Sequence, residues 1–188
     1  PFTLCVGVTG HRADMLPAGA EESLRTRVRD VLTLIDEAGA RLVKRDKRSF
    51  AKGPPARRFV SPIADGADQI AAEVPLDLGW GLPEVLPFGR KRYRASLANH
   101  GARERFDALI EQATCVLELP GDAARELDAY VMTGRATVAH CDILIAIWDG
   151  LPPRGRGGTG EVAMLAITRG TAVIHLPPDP QKDARLLW

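Results

Sequence analysis

Cysteine is scarce in this chain of 188 residues: Cys5, Cys115 and Cys141 are three, odd in number and widely spaced. That excludes a disulfide-stapled scaffold. With no Cys-x-x-Cys pair and no His/Cys cluster, zinc has no ligand set, and no metal is expected. The three cysteines sit beside or within apolar strand-like runs and read as buried small hydrophobes in a reducing, cytoplasmic setting. No apolar run is long enough to span a bilayer and no signal-peptide pattern is visible, so no membrane partner is expected of this segment. Charge of one sign is also missing. The 25 Lys and Arg against 24 Asp and Glu leave a net charge of +1, which argues against a nonspecific nucleic-acid binder. There is no internal repeat and no low-complexity tract.

The remaining composition, 45% hydrophobic and 26% charged, is that of an ordinary globular protein. A chain of this length buries roughly 70% of its unfolded surface and needs no covalent staple. Residues 1–178 read as one domain and 179–188 as a polar, proline-containing tail leading into further sequence. The start at Pro1 rather than a methionine reads as a trimmed chain or a piece of a longer polypeptide.

Along residues 1–178, short apolar runs alternate with helical patterns. Strands are expected at 4–8, 59–63, 84–88, 115–119, 143–148 and 172–176. Helices are expected at 21–38, from Asp65 as N-cap to 78, at 103–113, at 123–140, and after a glycine loop to 168. Pro75 should kink or end the second of these early. The basic stretch 44–58 reads as an exposed loop, since only Phe50 and Phe59 offer aromatic interleaving. The alternation predicts an α/β, modified Rossmann-like fold, a parallel sheet flanked by helices on both faces. In such sheets ligands sit beyond the carboxyl ends of the strands.

Four segments fall at those ends. Gly157-Gly158-Thr159-Gly160-Glu161 follows the strongest strand and opens a helix. Its glycines allow close approach of a phosphate, its free N–H groups attract an anion, and Thr159 adds a hydroxyl. Neither a P-loop lysine nor the GxGxxG spacing is present. Thr9-Gly10-His11-Arg12 follows the first strand and suits phosphate equally well. Asp65-Gly66-Ala67-Asp68 follows the second, where Gly66 lets a ligand lie close and Asp68 can meet a hydroxyl. Met132-Thr133-Gly134-Arg135 lies on the helix before Asp142 and the strong strand, which ends at Asp149. Arg90 to Arg94, after the third strand, reads as an exposed basic helix start.

Met132-x-x-Arg135, then Asp142 leading an apolar strand, then Gly157-Gly158-Thr159 with Glu161, resembles the Lonely Guy phosphoribohydrolases. They belong to the SLOG superfamily, with the DNA-processing protein DprA, molybdenum-cofactor carriers and nucleotide-sensing domains. The resemblance runs over about residues 4–176. It implies binding of a nucleotide or nucleotide derivative. In its hydrolase branch it also implies cleavage of an N-glycosidic bond, with Glu161 and Arg135 as the catalytic residues. Ala136 stands where that branch has lysine, Asp149 to Arg154 are inserted before the glycines, and Glu161 follows Thr159 by two residues rather than three. One residue turns a helical side chain by about 100°, so these departures favour binding over catalysis.

The leading expectation is therefore a module that binds or senses a nucleotide, ADP-ribose-like or NAD-derived. Phosphate would sit on Gly157, Gly158, Thr159, Thr9, Gly10 and Arg12. Ribose and base would lie near Gly66, Asp68, Asp149 and Glu161. An N-glycosidase is the first alternative. A DprA-like binder of single-stranded DNA is the second; it rests on the basic stretch alone, and nucleic acid is not the expected partner. A homodimer is expected only by analogy with related folds.

Overall fold

Ile143–Ile147 (β5) shows why the sheet is buried on both sides. Side chains alternate across a strand: Ile145 and Ile147 enter one core while Leu144 and Ala146, with Trp148 after them, enter another. The computed structural model describes residues 1–153 and 155–188; Arg154, the last residue of the segment inserted before the glycines, lies outside the described residues.

β5 pairs in parallel with Thr3–Gly10 (β1) on one side and with Ala172–His175 (β6) on the other. β1 in turn pairs in parallel with Ala56–Val60 (β2). Pro83–Leu86 (β3) and Cys115–Glu118 (β4) form a parallel pair of their own. They join β2 through bridges at Arg58–Gly81 and Ser61–Glu84. The strands thus run β4-β3-β2-β1-β5-β6, all parallel. Arg185–Leu187 (β7) closes the far edge antiparallel to β6. The segment read as a polar tail therefore returns to the sheet.

Among the described residues six α-helices cover the two faces: Ala20–Arg45 (α1), Ala67–Asp77 (α2), Arg90–Ser96 (α3), His100–Gln112 (α4), Glu126–Ala139 (α5) and Thr159–Thr168 (α6). Leu24, Val28, Leu32 and Ile35 of α1 pack with Val6, Val8 and Phe59 in the larger core; Val162, Ala163 and Ala166 of α6 pack with Leu144 and Val173 in the smaller. The fold is the α/β, mostly parallel architecture that the alternation of runs predicts.

Three local expectations need correcting. α1 does not stop near Gly39 but runs on to Arg45, because lysine and arginine are good helix formers and favourable in a last turn. The basic stretch is then only partly loop, since Lys44 and Arg45 end α1 and Ala56, Arg57 and Arg58 belong to β2. α2 is capped not by Asp65 but by Gly66, which supplies no side-chain bond, and it passes through Pro75 to end at Asp77. Proline there removes the N–H that would donate to the Ala71 carbonyl, and the helix ends two residues later.

Candidate ligand crevice

The carboxyl ends of β1 and β5 open onto a crevice of about 500 Å³, within the range usual for small-molecule sites. Four segments of chain are drawn together to make it. After β1, the N–H of His11 donates to the carbonyl of Ile147 (2.9 Å), and the N–H of Asp149 donates to Nε2 of His11 (3.2 Å). His11 is nearly buried and ties the β1 and β5 ends together. Because Nε2 accepts, the ring proton belongs on Nδ1. Asp149 Oδ1 lies 3.5 Å from the same Nε2 and accepts from the N–H of Leu151 (3.0 Å).

The third segment lies underneath. Gly66 has φ +105°, and a Cβ there would come within 2.4 Å of the backbone nitrogen of Ala13 and 2.6 Å of the carbonyl oxygen of His11. Only glycine lets this turn press against the β1 turn. The next N–H, of Ala67, donates to His11 (3.0 Å), and Asp68 then reaches the crevice wall. Gly66 thus acts by close approach of backbone to backbone and is not itself in the wall.

The fourth segment is the glycine loop. Gly157, Gly158, Thr159 and Gly160 line the crevice, and no side chain caps α6 at Gly158. First-turn N–H groups of a helix have no intrahelical acceptor, which leaves them for an anion. Gly157, at φ +74°, donates its N–H in a short bond to Oε2 of Glu161. The half-buried Glu161 carboxylate therefore holds the loop and is not part of the crevice wall.

Across from the glycines stands α5. Glu126, Leu127, Tyr130, Thr133 and Gly134 form its crevice face. Arg135, one residue on, is turned away by about 100°; it is exposed and absent from the wall. The structure thus brings Thr9, Gly10, Arg12, Asp68, Asp149, Gly157, Gly158 and Thr159 to one place and leaves Arg135, Glu161 and Gly66 outside the wall.

Arg12 is the nearest fixed cation, its guanidinium 5.3 Å from the centre of the Tyr130 ring. Burial works against its charge, but the Tyr130 hydroxyl and the nearby Tyr93 and Asp14 outweigh burial and raise its pKa. Arg156 also lines the crevice and pairs with Asp128 at 3.1 Å. Met15, Leu127, Leu151 and Trp148 supply apolar wall. The Trp148 ring lies 4.0 Å from that of His175, whose Nε2 is 3.0 Å from the Trp148 carbonyl.

In and behind the crevice wall lie buried titratable groups, of which the motifs reveal Asp68 but not Glu84 or Tyr93. Asp68 is 4% exposed, Glu84 0% and Tyr93 2%. Burial pushes the Asp68 carboxyl up to about 8, against the pull of the Ala64 and Gly10 N–H groups and of Arg12. Burial, then the neighbouring Asp68 and Cys115, hold Glu84 well above the usual carboxylate range. Burial, with Asp68 next, does the same to the Tyr93 hydroxyl. One signal could have exposed Glu84: a carboxylate inside an otherwise apolar run that reads as a strand. No cluster of three or more His, Cys, Asp or Glu able to hold a metal occurs among the described residues. No helix of the described residues is long and apolar enough to cross a membrane.

No protein-family model matches the chain, and no curated protein matches it. Solved structures do. DNA processing protein A from Helicobacter pylori, described by its single-stranded DNA binding mode, superposes with a TM-score of 0.56 at 16% identity, over 93% of this chain. The chain spans 65% of the length of that protein. The X-ray structure of TM1055 superposes with a TM-score of 0.49 at 13% identity, over 91% of this chain and 72% of that one. At such identities the likeness is one of fold. It corrects one expectation all the same. Net charge is a sum over the whole surface and says nothing of a local basic rim, and a protein of this fold binds single-stranded DNA. The near-zero charge therefore does not set nucleic acid aside as a partner. What the chain is similar to is a group of Rossmann-like α/β proteins.

Proposed function

We propose that the crevice binds the phosphate of a nucleotide or nucleotide derivative of the AMP, ADP-ribose or NAD kind. One observation carries this reading. The glycine loop at the uncapped start of α6, the Thr9–Arg12 turn and the Arg12 guanidinium converge at the carboxyl ends of β1 and β5, where open α/β sheets take their ligands. Met15, Leu127 and Leu151, exposed apolar side chains on the crevice wall, offer a base a surface to cover. The hydrolase alternative loses support, since Arg135 points away and Glu161 is engaged by Gly157.

Gly158 provides the test. A Cβ there meets only the Gly155 carbonyl, at 3.5 Å, so Gly158→Leu leaves the backbone unstrained while its side chain occupies the phosphate position. The expected outcome is loss of AMP, NAD and ADP-ribose binding by calorimetry, with an unchanged melting temperature. Mass spectrometry of the parent mixture should return intact ligand. Intact binding by Gly158→Leu sinks the site; release of free base would restore the hydrolase.

A second reading, single-stranded DNA, is favoured by the likeness to DNA processing protein A and by the exposed Arg90, Lys91 and Arg92 on α3, the helix whose Tyr93 lines the crevice. A phosphodiester strand would use the same phosphate groups. Oligonucleotide affinity that falls steeply with salt supports it; a flat response dismisses it.

A further inference from the structure

Two buried carboxyls, Asp68 of the crevice wall and Glu84 of β3 within its electrostatic reach, have no ion pair among the described residues. Asp68 lines the crevice and is 4% exposed, and its Oδ1 has no hydrogen-bond partner among the described residues. Glu84 is fully buried, and neither of its carboxyl oxygens has a partner among the described residues. Both lie within electrostatic reach of one another and of the buried Tyr93 hydroxyl. Two carboxyls in one dry volume do not both ionise.

The Asp68 carboxyl accepts from the N–H groups of Ala64 and Gly10 and lies within electrostatic reach of Arg12 from the β1 turn, Glu84 from β3 and Tyr93 from α3. The other titratable or charged groups of the crevice are His11, Glu126 and Tyr130 from α5, Asp149 from the β5 end and Arg156 from the glycine loop. Arg12 is the fixed cation that acts on Asp68. How much of its charge a ligand meets depends in part on Asp68. A neutral Asp68 adds nothing to the negative charge of Asp14 near the guanidinium and can donate its O–H to a phosphate oxygen. An ionised Asp68 offsets the guanidinium charge further and faces the phosphate with a like charge.

We propose that Asp68 is a proton-linked recognition residue of the crevice: its carboxyl enters the complex protonated, and anion binding is switched off as that proton leaves. The inference rests on the phosphate-binding reading above and adds its regulation. The expected midpoint follows from the burial of Asp68, whose proton is held up to about 8.

The experiment is the AMP dissociation constant by calorimetry between pH 7 and 9.5. There the ligand's second ionisation, near pH 6, and an ordinary histidine, near 6.5, are both complete. The parent should bind about tenfold more weakly at pH 9 than at pH 7. Asp68→Asn should show one constant across that range. A carbon-13 titration of the Asp68 carboxyl in the ligand-free parent should show a midpoint near 8, moving upward with AMP; it decides the matter should Asp68→Asn not fold. Binding that is flat with pH in the parent, or a carboxyl that titrates in the ordinary acid range, overturns the inference and leaves the phosphate site standing. No AMP binding at any pH overturns both.

Discussion

The α1–α2–α4 surface and the buried back of the crevice treat charge in opposite ways. On the surface, Arg25 reaches Glu73 at 2.8 Å, Arg105 reaches the same carboxylate at 2.8 Å, and Arg105 reaches Glu21 at 3.0 Å. Every one of these side chains is partly exposed and every one has a partner. In and behind the crevice wall, Asp68 and Glu84 are buried, and three of their four carboxyl oxygens lack a hydrogen-bond partner among the described residues. The difference separates scaffold from site. Exposed pairs are screened and individually weak, on the order of 0.2–1 kcal/mol. They hold helices together without strain. Buried unpaired acids cost stability and persist where a cleft uses them.

The comparison can be broken most severely from beneath the crevice. Gly66→Val places a Cβ against the Ala13 and His11 backbone at a φ of +105°. It should cost about 4 kcal/mol by urea denaturation, in the range of a strained and overpacked site. A variant as stable as the parent would mean that the two turns do not press together.

The next effect is a pH dependence. The folded-state pKa of Asp68 is raised, to about 8, above an unfolded value near 3.9. The folded protein therefore holds this proton more tightly. The Asp68 contribution to stability is full below about pH 4 and is lost as the pH rises through about 8. Asp68→Asn, which cannot titrate, should gain on the parent across that window, by roughly 5 kcal/mol between pH 4 and pH 8. Melting temperatures of both proteins from pH 4 to 9 check this; parallel curves would refute it.

Glu84→Met sharpens the contrast from the other direction. It replaces an unpartnered buried acid by an apolar side chain of similar length and should stabilise by about 1–3 kcal/mol at pH 7. Loss of stability instead would reveal a partner for Glu84. The smallest effect belongs to the surface. Arg105→Ala should cost about 1 kcal/mol, shrinking in high salt. A larger and salt-insensitive loss would erase the distinction between the two regions.

How much of this was legible beforehand depended on what each residue had to do. The run 143–148 announced itself because a strand buried on both faces must be apolar throughout. The glycines at 157 and 10 marked places where backbone comes close to something. Helix phase was not legible in the same way. The sequence motif singles out Arg135, but packing of α5 turns Gly134 and Tyr130 toward the crevice. Glu84 and Tyr93 were hidden by company: one stood inside an apolar run, the other inside a basic run, and only the fold brings them to Asp68. β7 was invisible because three residues on an edge strand need no pattern of their own; their register is imposed by β6.

The strand order has a consequence for the order of assembly. β1 lies between β2 and β5, and its pairing joins Val6 to Ile143, 137 positions along the chain. During synthesis β1 and β2 can meet early, but the other edge of β1 stays open until β5 has emerged. Contacts this distant carry a large closure entropy and form late. The crevice spans that same β1–β5 seam, so the site comes into being only once that long-range pairing has formed.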